Sequence, residues 1–176
     1  MTPQADVQTL DVDGDGRLRY GARINLTMHG QTVQLMSVHL KSGCFQNDSS
    51  SSDCPLLLRQ IPVLENWIDT AAASAEPFIV SGDFNRRLGL PGDTVRAEID
   101  DGQPENADLV VITDNMPVSC RDNTFTEFID HMVFDKRAAP WADATSFRQV
   151  TYRQADKSVW GQISDHCPVV VDLWIP

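Results

Sequence analysis

The stretch FIVSGDFNRRL, Phe78 to Leu88, sets an acid and an amide two residues apart where an apolar run gives out. In an extended segment, side chains at i and i+2 share a face, so Asp83 and Asn85 would sit together at the end of a strand. An acid in that position can bind a metal or orient a water, and an amide can hold an oxygen without adding charge. Gly, Asp and Asn are also ordinary turn residues, and taken alone the segment reads as a turn. It does not stand alone. Three of the four histidines lie where apolar runs meet polar residues: His39 in MSVHLKSG, His131 in FIDHMVF and His166 in ISDHCPVVVDL. Two of them directly follow an acid, Asp130 and Asp165. A single histidine at a strand end is usually structural. Acids and imidazoles converging from several strand ends are what metal-assisted hydrolysis requires.

Bringing these residues together takes strands that end side by side. Arg17 to Met28 and Gln31 to Leu40 predict two strands joined at His29-Gly30, with Val33, Leu35 and Ser37 facing one way and Gln34, Met36 and Val38 the other. A helix is predicted from about Pro55 to Ala73, because Leu57, Ile61, Leu64, Ile68 and Ala71 repeat at helical spacing. Pro62 falls inside that pattern and should kink it or start a second segment. Phe78 to Gly82, Leu109 to Ile112, Phe128 to Phe134 and Val169 to Ile175 read as further strands, and Asp93 to Ile99 as a short helix. The mixture predicts a layered α/β or α+β domain.

At 176 residues and 41% hydrophobic, the chain is the size of one domain, residues 1–176, with a real core. No apolar run is long enough to span a bilayer, and the opening MTPQADVQTLDV lacks the basic and apolar parts of a signal peptide. A net charge of -11 argues against a static nucleic-acid binder, which relies on Lys and Arg to neutralise phosphates. It leaves room for an enzyme that meets phosphate through a bound cation.

Two further patterns carry alternatives. DVDGDG, Asp11 to Gly16, matches the opening of a calcium loop, but its twelfth position is Ala22 where a bidentate Glu is needed, and a strand follows. The segment reads as a polar turn, with a calcium-binding structural module as the lesser alternative. Cys44 and Cys54 bracket the polar stretch FQNDSSSSD, which a disulfide would restrain; that bridge favours an extracellular or periplasmic location. Cys167, before an apolar run, reads as a reduced core thiol, and Cys120 has no assigned partner.

SVHLKS, SGDFN, IDHMVF and SDHCPVVV occur in the order found in the endonuclease/exonuclease/phosphatase superfamily, and the chain from about Arg19 onward resembles that family. The resemblance implies a DNase I-like fold, a sandwich of two β-sheets flanked by helices. It also implies hydrolysis of phosphoesters with a divalent cation, Mg2+ or Mn2+, with Ca2+ as an alternative. His39 resembles the histidine that contacts the scissile phosphate. Asp83 resembles the acid that orients or deprotonates the attacking water, with Asn85 holding that water or a phosphate oxygen. Asp165 resembles a metal ligand, and His166 the imidazole that offsets charge on the phosphoryl oxygens. The implied metal set is Asp83, Asn85, Asp165 and His166. Strand parity does not choose between Asp130 and His131; the resemblance favours Asp130, as support for the phosphate site or a histidine. Arg86, Arg87 and Lys41 are candidates for phosphate contacts, with solvated surface as the equal alternative for each.

The family's early strand with an Asn, and its Glu metal ligand in a QE pair, have no counterpart. Glu65 lies in the predicted helix, Glu76 just before the Asp83 strand, and Gln4 has no Glu beside it. The chain therefore resembles the C-terminal portion of such a fold, N-terminally truncated. Its open sheet edges should favour a homo-dimer. The leading function is a metal-dependent phosphodiesterase or nuclease. A small-molecule or lipid phosphoesterase of the same family, and an inactive remnant serving as a binding or structural module, are the alternatives.

Overall fold

The computed structural model describes residues 1–47, 49–104, 107–120 and 126–176. Alternation along Gln31–His39 (β3) sends Val33 and Leu35 to one side of a sheet and Met36 and Val38 to the other, and each side builds its own core. β3 pairs antiparallel with Ala22–Met28 (β2), which begins five residues later than the sequence predicts, and β2 pairs with the short Thr2–Pro3 (β1). On its other edge β3 runs parallel to Phe78–Asp83 (β4). Asp130–Asp135 (β6) and Leu109–Val111 (β5) follow, both antiparallel to their neighbours, in the order β1-β2-β3-β4-β6-β5. The edge strands β1 and β5 are two and three residues long, and β1 covers only Ile24 and Asn25 of β2.

The parallel step from β3 to β4 needs a crossover, and Cys54–Ala72 (α1) supplies it. Leu57, Ile61, Leu64, Ile68 and Ala71 on α1 bury against Met36, Phe78, Val80 and Val133. The helix is a single 19-residue element that continues through Pro62 instead of starting afresh there. Proline removes the ladder bond to the Leu58 carbonyl, and Leu58 is exposed, so water can satisfy that group. Thr94–Ile99 (α2) starts where the Asp93 carboxylate accepts the Arg96 N–H at 2.9 Å.

A second sheet closes the other face. Ala142–Gln149 (β7) and Val169–Leu173 (β8) pair antiparallel, and Phe147, Val171, Leu173 and Ile175 pack on Val33, Ile79 and Phe134. β7 is absent from the sequence reading because ADATSFRQ alternates small and polar residues, with Phe147 its one large apolar side chain. Among the described residues no helix is long and apolar enough to cross a membrane.

The Cys44–Cys54 disulfide forms as the sequence suggests. Cys167 is buried but is not a reduced thiol: it is bonded to Cys120, 47 residues away, because Ser119 and Cys120 lie against the end of β7 and the approach to β8. In DVDGDG the acids point to separate partners. Asp11 accepts the backbone N–H groups of Gly16 and Leu18, Asp13 pairs with Arg59 of α1, and Asp15 pairs with Arg17. That is the polar turn, leading into β2.

Glu65 and Asp69, one turn apart on α1, lie near Glu98 and Asp101 at the end of α2, and one carboxyl oxygen of each is buried without a hydrogen-bond partner. Burial, then the charges of Asp69, Asp101 and Glu98, push Glu65 from its ordinary 4.5 up to about 8. Asp69 is also raised, by burial first and Asp101 second. Folded Glu65 therefore keeps a proton that the unfolded chain loses, so its stabilising effect is full below pH 4.5 and drains away as pH rises to about 8. Discounted for partial exposure, the loss is on the order of 1 kcal/mol. Glu65→Gln should raise the melting temperature by about 2–4 °C near pH 8.5 and leave it unchanged near pH 4. An equal shift at both pH values would refute this assignment.

Candidate active site

Strand register puts three of the expected residues in one row. His39 at the end of β3 is paired with Asp83 at the end of β4, and Asp83 is paired with Asp130 at the start of β6. Directly paired residues share a sheet face, and parity with Ile79 and Phe134 makes this the face covered by β7 and β8. The next residue, His131, must then point to the helical side. It is fully buried there, its Nδ1 2.6 Å from Thr113 Oγ1 and its Nε2 2.8 Å from the Arg86 carbonyl. Burial lowers its pKa to about 4. The register thus separates Asp130, in the row, from His131, in the core.

His166 reaches the row from the approach to β8. Its Nδ1 lies 2.8 and 3.0 Å from the two carboxylate oxygens of Asp130. A carboxylate only accepts, so Nδ1 carries the proton, and Nε2 turns to Asp83 Oδ2 at 3.8 Å. His39 Nε2 approaches the same oxygen to 3.7 Å. Asp83 therefore sits between two imidazoles, each too far for a direct hydrogen bond.

Asn85 joins Asp83 by a different route from strand parity. β4 ends at Asp83, Phe84 is fully buried, and Asn85 takes φ +50, a left-handed conformation that Asn tolerates. Its N–H donates to Asp83 Oδ1 at 2.8 Å, and its Nδ2 donates to Leu40 O and to Asp83 Oδ2, both at 2.9 Å. The turn and the site are one structure. Both amide protons are engaged, and Oδ1 has no hydrogen-bond partner among the described residues. Gly82, at φ +132, is also fixed by position: a Cβ there would run into the carbonyl oxygen of Val38 on β3.

The electrostatics suit acid–base work. Burial raises the Asp83 pKa; the Asn85 N–H opposes that, the Asp130 charge adds to it, and His166 and His39 pull it down. For His166, burial alone would lower the pKa, but the hydrogen bond and charge of Asp130, with Asp83 and Asp165, outweigh it and raise it. One group is drawn toward the neutral form and its neighbour toward the cation.

A cavity of about 610 Å³ opens on this row, lined by His39, Asp83, Asn85, Asp130, Asp165 and His166. Arg87 also lines it, with Nη1 2.9 Å from Gln46 Oε1. Asp165 stands at the rim, its side chain 80% exposed and 3.9 Å from His166 Nε2. Two of the expected phosphate contacts are elsewhere. Arg86 is buried, with Nε 2.7 Å from Asp93 Oδ2 and further bonds to the Cys44 carbonyl and Asn47. Its charge holds the loop after β3 to the start of α2, so it is not available to a phosphate. Lys41 pairs with Asp53 at 2.9 Å and lies outside the cavity lining. Sequence reasoning missed Phe45 and Glu127, which line the cavity from connections, and Gln149, which lines it from the end of β7. Nothing in their spacing marks them.

Asp83, Asp130 and His166 each offer a ligand atom within 4.8 Å of the others. Two carboxylates, the Asn85 side-chain oxygen and one imidazole nitrogen suit a hard divalent cation that completes its shell with water.

No protein-family model matches the chain, and no curated protein does. Solved structures do. A 3′ phosphatase, NExo, from Neisseria bound to product DNA hairpin aligns over 99% of this chain and 72% of its own, at 14% identity and a TM-score of 0.60. An AP endonuclease from Archaeoglobus fulgidus aligns over 98% and 72%, at 16% identity and a TM-score of 0.55. A protein from Beutenbergia cavernae described as endonuclease/exonuclease/phosphatase aligns over 97% and 43%, at 15% identity and a TM-score of 0.53.

Proposed function

We propose that this chain, which has the DNase I-like fold of the endonuclease/exonuclease/phosphatase superfamily, is a divalent-metal-dependent phosphoester hydrolase acting on a diester. The observation that carries the reading is the row of His39, Asp83 and Asp130 across three strand ends, met by His166 from the opposite sheet. Asp83, Asn85, Asp165 and Nε2 of His166 would hold the cation, with Asp130 as the carboxylate that the fold adds to that set. A bound Mg2+ or Mn2+ would polarise the phosphoryl group and offset its charge.

The protein's own groups supply the rest. Asp83, screened from bulk water and flanked by two imidazoles, accepts the proton of a water aimed at phosphorus, while Asn85 Oδ1 fixes that water or its cation. His166, kept in one orientation by Asp130, presents Nε2 to the cation, and His39 presents an imidazole N–H to the oxygens on which charge grows. The phosphorus–oxygen bond to the leaving alcohol then breaks, and that oxygen takes up a proton. Arg87 is the one expected phosphate contact that the cavity retains.

For the substrate we favour a nucleic-acid diester, with a small or lipid diester as the alternative; one aligned structure is of a 3′ phosphatase bound to product DNA hairpin and another is of an AP endonuclease. The two disulfides support an oxidising, extracellular or periplasmic setting for this domain. The test is hydrolysis of bis(p-nitrophenyl) phosphate by the purified chain with Mg2+, with Mn2+ and with EDTA. Turnover that appears with metal and vanishes with EDTA supports the reading. No metal-dependent turnover on this diester or on single-stranded DNA would defeat it in favour of an inactive binding module.

A further inference from the structure

The site is divided between two sheets. His39, Asp83 and Asp130 belong to the six-stranded sheet, whereas His166 belongs to the approach to β8 in the two-stranded one, and among the described residues no strand ladder joins the two. The residues leading to His166 bury nothing of themselves. Positions 161–165 are all exposed, and the first buried residue is Cys167, 1% exposed. Cys167 is bonded to Cys120, itself 4% exposed, in the connection between β5 and β6 that belongs to the first sheet. Beside it, the Ser119 N–H donates to Gln149 Oε1 of β7 at 2.8 Å. The disulfide is therefore a covalent tie across the seam of the site, one residue from the imidazole. Besides it, His166 is held by the Asp130 contact, by Ser164 Oγ on its N–H at 3.1 Å and by the Tyr152 hydroxyl on its carbonyl at 3.2 Å.

We propose that the Cys120–Cys167 disulfide is a positioning element of the active site, fixing His166 against Asp130 and Asp83, so that hydrolysis requires this pair oxidised. The inference rests on the hydrolase reading above. A dithiol would switch the site off: two electrons and two protons convert the disulfide to two thiols as the dithiol closes to its own disulfide. The second bridge, Cys44–Cys54, joins the loop after β3 to the first turn of α1 and touches neither His166 nor Asp130. It serves as the internal control.

The test compares Cys120→Ser/Cys167→Ser with Cys44→Ser/Cys54→Ser, at a temperature where both are folded, on bis(p-nitrophenyl) phosphate with Mg2+ or Mn2+. Displacing one reacting group by about 1 Å costs roughly 10²-fold, so kcat of the first variant should fall by about that factor with KM changed less than about threefold. The control should keep its kcat. A first-variant kcat within about threefold of the parent value overturns the proposal, as does a control that loses kcat equally. An activity-independent readout separates the two hypotheses. In the parent chain the His166 Nδ1–H, sheltered by Asp130, should give an exchange-protected proton resonance, which should broaden away in Cys120→Ser/Cys167→Ser. If the parent shows no turnover, the hydrolase reading fails, and persistence of that resonance in the variant still overturns the positioning role. Should the serine pair not fold, graded dithiothreitol treatment of the folded parent, with thiol labelling read by mass spectrometry, replaces it. Activity must then be lost in step with labelling of Cys120 and Cys167, and activity surviving their reduction overturns the proposal.

Discussion

Asp83→Asn should lose about 10²–10⁴-fold in turnover of a phosphodiester, the range expected when a general base is removed, while the protein stays folded. The substitution keeps the shape of the side chain and an oxygen to accept the Asn85 N–H; Asn85 Nδ2 loses its acceptor on Asp83 but keeps the Leu40 carbonyl. Burial raises the Asp83 pKa in the fold, so the stabilising effect of this group is present at low pH and is lost as pH rises through that raised value. An uncharged amide does not lose it. The variant should therefore melt within about 3 °C of the parent at neutral pH, and compare more favourably with it above neutrality than in acid. Initial rates and thermal melts of the two proteins side by side decide the matter. Turnover within about threefold of the parent would remove Asp83 from the chemistry. A collapse of melting temperature at every pH would make it a structural carboxylate.

Arg86→Ala should fail in the opposite way, by losing the fold. The guanidinium and the Asp93 carboxylate are each 1% exposed and bonded at 2.7 Å, and Asn47, Thr94 and the Cys44 carbonyl are further partners of the arginine. Removing one member of such a buried pair leaves the Asp93 charge buried with the Arg96 N–H in place of a countercharge, at a cost of about 3–5 kcal/mol. That is a large share of the roughly 5–15 kcal/mol that holds a typical domain together. A fall in melting temperature of at least about 6 °C is expected. Arg87→Ala, one position along, should leave melting unchanged and raise KM several-fold, because Arg87 lines the cavity. Thermal melts and KM values for the two variants form one experiment, and an Arg86→Ala protein of parental stability with raised KM would restore Arg86 to the phosphate site.

That contrast shows where sequence reasoning reaches its limit. Arg86 and Arg87 are adjacent and identical, and only the fold distinguishes a loop clamp from a cavity residue. The strands and the helix that carry the site were legible wherever burial has a period: β3 by alternation, α1 by Leu57, Ile61, Leu64 and Ile68. β7 was illegible because its inner face is mostly small residues. Asp83 and Asn85 were legible as neighbours, but through a turn and not through pleating, since β4 stops between them. Asp130 and His131 could not be told apart until the register of β4 and β6 assigned their faces. The Cys120–Cys167 pair had no local trace, because a bond across 47 residues is set by which connections the two sheets bring together.

Gly82 is not part of the lining of the 610 Å³ cavity, yet a Cβ there would meet the Val38 carbonyl of β3, next to the pairing of His39 with Asp83. In a saturation-mutagenesis map it would score as one of the least tolerant positions in the chain, on a par with Asp83. Any side chain there would push the two strands apart and widen the spacing between imidazole and carboxylate. Intolerance at this position would measure the gauge between two parallel backbones. In a library screened for activity, position 82 is best left fixed, and diversity is better placed at Phe45 and Glu127, which border the site's cavity from connections instead of strands.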